Sequence, residues 1–256
     1  MNVLILGGTT EARLLAEAAA DRGHRVTTSL AGRTQAPRLP AGAVVSGGFG
    51  GVHGLKAFLD QERIEALIDA THPFAATIST SARQAACEAN VAFLQLERRP
   101  WRRQRGDRWT MVNSPARAAL RLASGRYGSR PLLTLGAQEL APFRALPGWA
   151  LGGRTTVARL IEPVADPGRL LLLSARGPFS LEDELNLMAE LGTTVLVTKN
   201  AGGDATAPKL TAARLLGLPV IMIRRPAPPR PGSVETVKAA LAWLSRQTGG
   251  DIYSSG

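Results

Sequence analysis

Two rhythms alternate along this chain: short continuous apolar runs and longer stretches with helical spacing. The runs at Val3 to Leu6, Arg25 to Leu30, Ala43 to Ser46, Ile64 to Ala70 and Val91 to Leu96 read as buried strands. Between them lie helix-forming stretches at 11–20, 53–63 and 78–90. In the first of these, Leu14, Leu15 and Ala18 share one face and are expected to meet the sheet. After Trp101 the rhythm resumes. Strands are predicted at Trp109 to Val112, Leu132 to Leu135, Leu170 to Ser174, Thr194 to Thr198 and Val220 to Ile223. Helices are predicted near 115–123, after Gly136, and at 180–190, 206–215 and 233–246, with an irregular stretch around Gly152 and Gly153. Such alternation predicts an α/β chain with two Rossmann-like domains built on parallel sheets. The junction near Arg98 divides them, giving domains at 1–98 and 99–256. The Pro-rich run from 226 to 232 reads as a stiff connector and 249–256 as a frayed tail.

The first strand runs directly into Gly7-Gly8-Thr9-Thr10-Glu11, and a helix follows. Adjacent glycines admit close backbone approach, and the first-turn amides of the helix favour phosphate. The usual dinucleotide pattern would carry glycines where this chain has Thr9 and Ala12, so a plain tight turn is the competing reading. The second strand carries no acidic residue for a ribose 2′-hydroxyl and opens instead into Ala31-Gly32-Arg33. A guanidinium there suits a 2′-phosphate and predicts NADPH, unless Arg33 is a solvated loop residue. Gly47 and Gly48, at the end of the third strand, are either a flexible loop or a second contact with the coenzyme. The fourth strand ends in Asp69-Ala70-Thr71-His72-Pro73-Phe74, which brings a hydroxyl and an imidazole beyond its carboxyl end, where ligands of parallel sheets bind. Thr71 and His72 are thus coenzyme-side candidates, and His72 is the catalytic candidate or a structural histidine.

In the second half, Ser174 and Arg176 follow one apolar strand; Lys199, Gly202 and Gly203 follow another, and Thr206 and Lys209 open the next helix. Cations and glycines at strand ends make an anion platform. Neither a G-x-S-x-G elbow nor a paired-carboxylate arrangement is present, which leaves hydrolysis unsupported.

Composition changes the picture in three ways. The net charge of +11 comes from 27 arginines and 4 lysines dispersed through both halves, without a nucleic-acid-binding motif. An acidic small-molecule ligand accounts for the excess without nucleic acid. Single Cys87, expected in a core, excludes a disulfide framework, and three scattered histidines give no metal spacing. The amino-terminal apolar run is too short for a signal or membrane helix, which predicts no membrane association and a reducing cytoplasm.

With LILGGTTEAR, DATHPFA, RRPW, ARGPF and KNAGG…TAPKL in order along nearly its whole length, the chain resembles the precorrin-6A reductase family of cobalamin biosynthesis. That resemblance implies NADPH-dependent reduction of precorrin-6A to precorrin-6B, with coenzyme on the first domain and a polycarboxylate tetrapyrrole in the cleft. It adds Arg13, Pro73, Phe74 and Arg98 to the substrate-side candidates. It implies that the two sheets exchange their last strands, Val91 to Leu96 and Val220 to Ile223, with 219–247 returning to the first domain. A monomer that hands its product to the next pathway enzyme is expected. The alternative class is a non-catalytic sensor or binding module for NADPH and an anionic ligand. A short-chain reductase is the weaker enzyme alternative, because neither Tyr127 nor Tyr253 has lysine four residues on. The sequence does not choose between a metal-free and a cobalt-bearing macrocycle.

Overall fold

The computed structural model describes residues 1–30, 40–144, 146, 156–160, 170–175, 177–226 and 231–248. The chain divides into two compact units, Met1–Arg99 with the segment from Ala227 onward, and Pro100–Pro226.

The first unit contains β1 (Asn2–Leu6), α1 (Thr10–Ala20), β2 (Arg25–Leu30), β3 (Ala43–Ser46), α2 (Val52–Gln61), β4 (Ala66–Asp69), α3 (Ala76–Glu88) and β5 (Ala92–Gln95). All strands are parallel, in the order β3-β2-β1-β4-β5. Strand alternation sends Val3, Ile5, Ala66 and Ile68 to one face, and Leu4, Leu6 and Leu67 to the other. The second face is covered by α2 and α3 through Leu55, Leu59, Ala82, Ala85 and Ala86. The first is covered by α1 and by a helix from far along the chain, numbered α8 below (Val237–Thr248), through Ala240, Leu241 and Leu244. Packing between two neighbours rotates the buried face of α1 to Ala12, Leu15, Ala16 and Ala19, leaving Leu14 exposed, contrary to the sequence expectation. Cys87 is likewise exposed, because Ala82, Ala85 and Ala86 form the buried face of α3. Ahead of α8, Val234 pairs with Leu96 as an isolated parallel bridge along the β5 edge.

The second unit contains β6 (Arg108–Val112), α4 (Pro115–Ala123), β7 (Pro131–Thr134), α5 (Ala141–Arg144), β8 (Thr156–Leu160), β9 (Leu170–Ser174), α6 (Leu181–Glu190), β10 (Val195–Lys199), α7 (Pro208–Leu215) and β11 (Pro219–Ile223). Its strands are parallel, in the order β6-β11-β10-β7-β8-β9. Helices α6 and α7 pack through Met188, Leu210, Ala212 and Ala213 onto Leu132, Leu196, Val220 and Met222.

Parallel pairing in two α/β sheets is as expected, but two details of the sequence reading are corrected. Strand β8 falls next to the stretch read as irregular, since Arg159 interrupts its apolar pattern. That guanidinium is buried by a two-point ion pair with Glu184 of α6, at 2.8 and 2.9 Å, and lies over the Phe179 ring. Nor are the two named strands, Val91 to Leu96 and Val220 to Ile223, exchanged: β5 pairs with β4, and β11 lies between β6 and β10. What returns to the first unit is the segment carrying Val234 and α8, which buries apolar side chains against α1. The Gly152-Gly153 stretch, positions 227–230 of the Pro-rich run and residues 249–256 lie outside the described residues.

Candidate functional site

In each sheet the chain turns outward in opposite directions from one central pair of strands, and the loops leaving their carboxyl ends diverge to form a crevice. In the first unit that pair is β1 and β4, flanked by the loops at 7–10 and 70–75. Gly7 N–H donates to Ser29 O at 2.8 Å, and a Cβ on Gly7 would stand 2.9 Å from Thr28 Cγ2, so packing against β2 requires glycine there. Gly8 is glycine for a different reason. Its φ of +99° is left-handed, and a Cβ there would meet nothing within 4 Å, an open cradle at the helix start. Thr9 is the N-cap of α1: its Oγ1 accepts from Ala12 N–H at 3.1 Å and donates to Ala70 O at 2.8 Å, spanning the crevice.

Across from it, buried Asp69 accepts two hydrogen bonds on Oδ1, from Thr71 N–H at 3.1 Å and Thr71 Oγ1–H at 2.7 Å. His72 Nδ1 accepts from Phe74 N–H at 3.2 Å, which puts the proton of the neutral imidazole on Nε2. Its ring leans on Phe74, with centroids 5.6 Å apart. Thr9, Glu11, Ala70, Thr71, Pro73, Leu96 and Arg98 line one small open pocket. Arg98 pairs there with Glu11 at 2.8 Å, so this arginine, expected on the substrate side, stands with the coenzyme-side candidates Thr9, Glu11 and Thr71. Arg13 instead pairs along α1 with Glu17. Gly47 and Gly48 follow β3, separated from the Gly7-Gly8 turn by β2. Ala31, Gly32 and Arg33 lie outside the described residues.

The second crevice lies between β7 and β10. Lys199 ends β10, and its Nζ contacts Glu139 Oε1 at 2.8 Å; Glu139 Oε2 in turn accepts from Gly136 N–H at 2.6 Å. Beyond Lys199, Asn200 clamps the backbone of Trp101, accepting from its N–H at 2.8 Å and donating to its carbonyl at 3.2 Å. The indole N–H donates to Gly203 O at 3.1 Å, and Arg225 donates to Asn200 O and Ala201 O, each at 2.8 Å. Gly202 and Gly203 take positive φ values, followed by a short 3-10 turn through Thr206. Lys209 is buried, with Nζ 5.4 Å from the centroid of the Trp101 ring.

Ser174 is exposed at the end of β9, which β7 and β8 separate from β10. The strand ends carrying Ser174 and Lys199 are therefore not neighbours: β7 alone would keep them apart, and the unanticipated β8 widens the gap. Arg176 lies outside the described residues. Sequence reading passed over Glu139, Asn200 and Arg225, whose partners come from distant positions. Among the described residues no cluster of His, Cys, Asp or Glu could hold a metal, and no helix is long and apolar enough to cross a membrane.

Comparison with known proteins places the chain in a family. The family described as precorrin-6x reductase CbiJ/CobK matches residues 2–245. This chain belongs to that family. Relatives include the precorrin-6A reductase of Rhodococcus erythropolis, 45% identical over 96% of this chain and 98% of the relative. That of Rhodobacter capsulatus is 42% identical over 95% of each. The cobalt-precorrin-6A reductase of Priestia megaterium is 31% identical over 88% of this chain and 90% of the relative. A solved structure, CobK precorrin-6A reductase, superposes with a TM-score of 0.87 at 42% identity, covering 96% of this chain and 97% of that one. Family membership makes the chain an oxidoreductase of the precorrin reductase class and disfavours the binding-module alternative.

Proposed function

We propose that this chain reduces metal-free precorrin-6A to precorrin-6B with NADPH. The observation that carries the reading is the first crevice: an open Gly8 cradle at the start of α1, facing the Thr71-His72 turn of a precorrin reductase chain. The cradle fits a dinucleotide, since a pyrophosphate needs close backbone approach and helix-start amides. Bound there, dihydronicotinamide supplies a hydride to one carbon of a conjugated bond, and the neighbouring carbon takes a proton. Gly7 and Gly8 give the backbone access, Thr10 and Glu11 the first-turn amides, and Thr71 a hydroxyl near the reacting end. Arg33, from the sequence alone, serves the 2′-phosphate. His72 is our candidate to relay a solvent proton to that neighbouring carbon through Nε2, since Nδ1 is engaged by Phe74 N–H.

Lys199 and Lys209, with Gly202, Gly203 and Thr206, serve the substrate's carboxylates in the second unit. The preference for a metal-free macrocycle is supported by identity. Relatives named precorrin-6A reductase match at 42–45%, and those named cobalt-precorrin-6A reductase at 27–31%.

The test is coenzyme oxidation with each macrocycle and each coenzyme. Faster turnover with metal-free precorrin-6A and NADPH is expected. Arg33→Ala should erase the preference over NADH, a charge-assisted contact of about 1.5–3 kcal/mol. Equal Kd for NADPH and NADH in the unaltered protein would refute the coenzyme assignment. A kcat unchanged in His72→Gln would remove the histidine from proton transfer.

A further inference from the structure

Two hydroxyls face the pocket of the first crevice, and the direction of every hydrogen bond they make inside the protein can be worked out. Thr9 Oγ1–H points at Ala70 O, a carbonyl that can only accept. Thr71 Oγ1–H donates to Asp69 Oδ1, a carboxylate oxygen that also accepts from Thr71 N–H. Ser79 Oγ lies 3.4 Å from Thr71 Oγ1, and with the threonine proton already directed at Asp69 the serine is the donor of that pair. Neither threonine has a proton left for a ligand. Each keeps one lone pair, Thr9 having used its other on Ala12 N–H and Thr71 on Ser79, and both residues line the pocket.

Asp69 is the unusual member. Its carboxylate is 1% exposed, and Oδ2 is buried without a hydrogen-bond partner among the described residues. A buried carboxylate oxygen in that state destabilises a fold, so stability alone does not explain an acid here. Its bonded oxygen, however, does something an apolar residue could not: it fixes the rotor of the Thr71 hydroxyl.

We infer that Asp69 is a positioning residue that makes Thr71 an acceptor, so that the pocket floor takes a neutral hydrogen-bond donor, a hydroxyl or primary carboxamide, in place of an anion. This rests on the coenzyme reading above and deepens it. The ribose and carboxamide of the nicotinamide half carry such donors. The carboxylates of a tetrapyrrole at neutral pH do not; lone pairs on the floor repel them, and Arg98, the cation in the same lining, is already paired with Glu11.

The test is a double-mutant cycle on the full chain, read as Kd for NADPH and for two fragments: reduced nicotinamide mononucleotide and adenosine 2′,5′-bisphosphate. Thr71→Val is expected to weaken NADPH and the mononucleotide by about fivefold to tenfold, the range of one neutral hydrogen bond, and to leave the bisphosphate unchanged. Thr71→Ser should restore binding. Asp69→Ala should weaken NADPH to a similar extent in the unaltered protein and not at all in the Thr71→Val background. Should Asp69→Ala fail to fold, Asp69→Asn keeps an accepting Oδ1 and is expected to behave as a rescue, within about twofold of wild type. Equal losses from Asp69→Ala in both backgrounds, or from Asp69→Asn where alanine does not fold, would overturn the inference and make Asp69 a structural turn residue. So would Thr71→Val binding like wild type. Failure of the unaltered protein to bind NADPH would overturn the coenzyme reading itself, and this inference with it.

Discussion

The two crevices are bridged by different chemistry. Across β1 and β4 the link is a neutral hydrogen bond from Thr9 to Ala70 O, beside an open Gly8 cradle. Across β7 and β10 it is an ion pair, Lys199 with Glu139, and the neighbouring cation Lys209 lies buried over Trp101. A frame linked by neutral bonds, with Arg98 and Glu11 already paired beside it, can be complete before the ligand arrives. A cation at a partly buried strand end needs a counter-charge at all times, and the protein supplies one from its own sequence. A ligand at the first crevice thus enters prepared space, whereas a carboxylate at the second must compete with Glu139.

The largest effect should come from breaking the prepared space. Gly8→Val is expected to abolish NADPH binding, because a branched side chain fills the cradle. With φ at +99° it should also cost about 1–3 kcal/mol of stability, visible as a lowered Tm. Retained NADPH affinity would show the cradle is not the binding surface.

The competition is sharpened by variants with opposite signs. Lys199→Ala should raise the KM for the tetrapyrrole about tenfold, since a partly desolvated charge pair is lost. Glu139→Gln should lower that KM a few-fold by removing the competitor, within the ~1 kcal/mol range of a solvent-accessible pair. The NADPH Kd should stay unchanged in both. A KM moving in the same direction in both variants would refute competition.

The smallest expected effect is away from both crevices. Partial burial, then the nearby amino terminus and Arg22, depress the pKa of His24 below its ordinary 6.5. The folded state thus binds the proton less readily than the unfolded chain, so this contribution is present above pH 6.5 and is lost as pH falls through the depressed value. His24→Gln should flatten the acid side of the thermal-stability profile by a small amount. An unchanged slope would show that His24 titrates alike in both states.

Much of the scaffold was legible because its signals are local. Continuous apolar runs marked strands, the Gly7-Gly8 pair announced a turn open to close backbone approach, and the Asp69–Phe74 stretch showed where β4 ends. What escaped depends on partners far along the chain. Arg159 disguised β8 because its compensating Glu184 lies 25 residues on, and Glu139 is 60 residues from the lysine it holds. The buried face of α1 could not be placed without knowing that α8 packs against it. Strand order, and with it the separation of Ser174 from Lys199, is a property of the sheet that periodicity does not encode.

The return of α8 has a consequence for biosynthesis. All strands of the first sheet have been translated by Gln95, yet the part of one apolar face that α1 does not cover, and the flank of α1 itself, wait until Val237–Thr248 has left the ribosome. At typical elongation rates that interval is roughly ten seconds. In the meantime every strand of the second unit is synthesised, so that unit can close first although it begins later. Limited proteolysis of nascent chains should find Pro100–Pro226 protected while Met1–Arg99 is still cut, an inversion of the usual amino-to-carboxyl order that makes the waiting sheet a natural client for a chaperone.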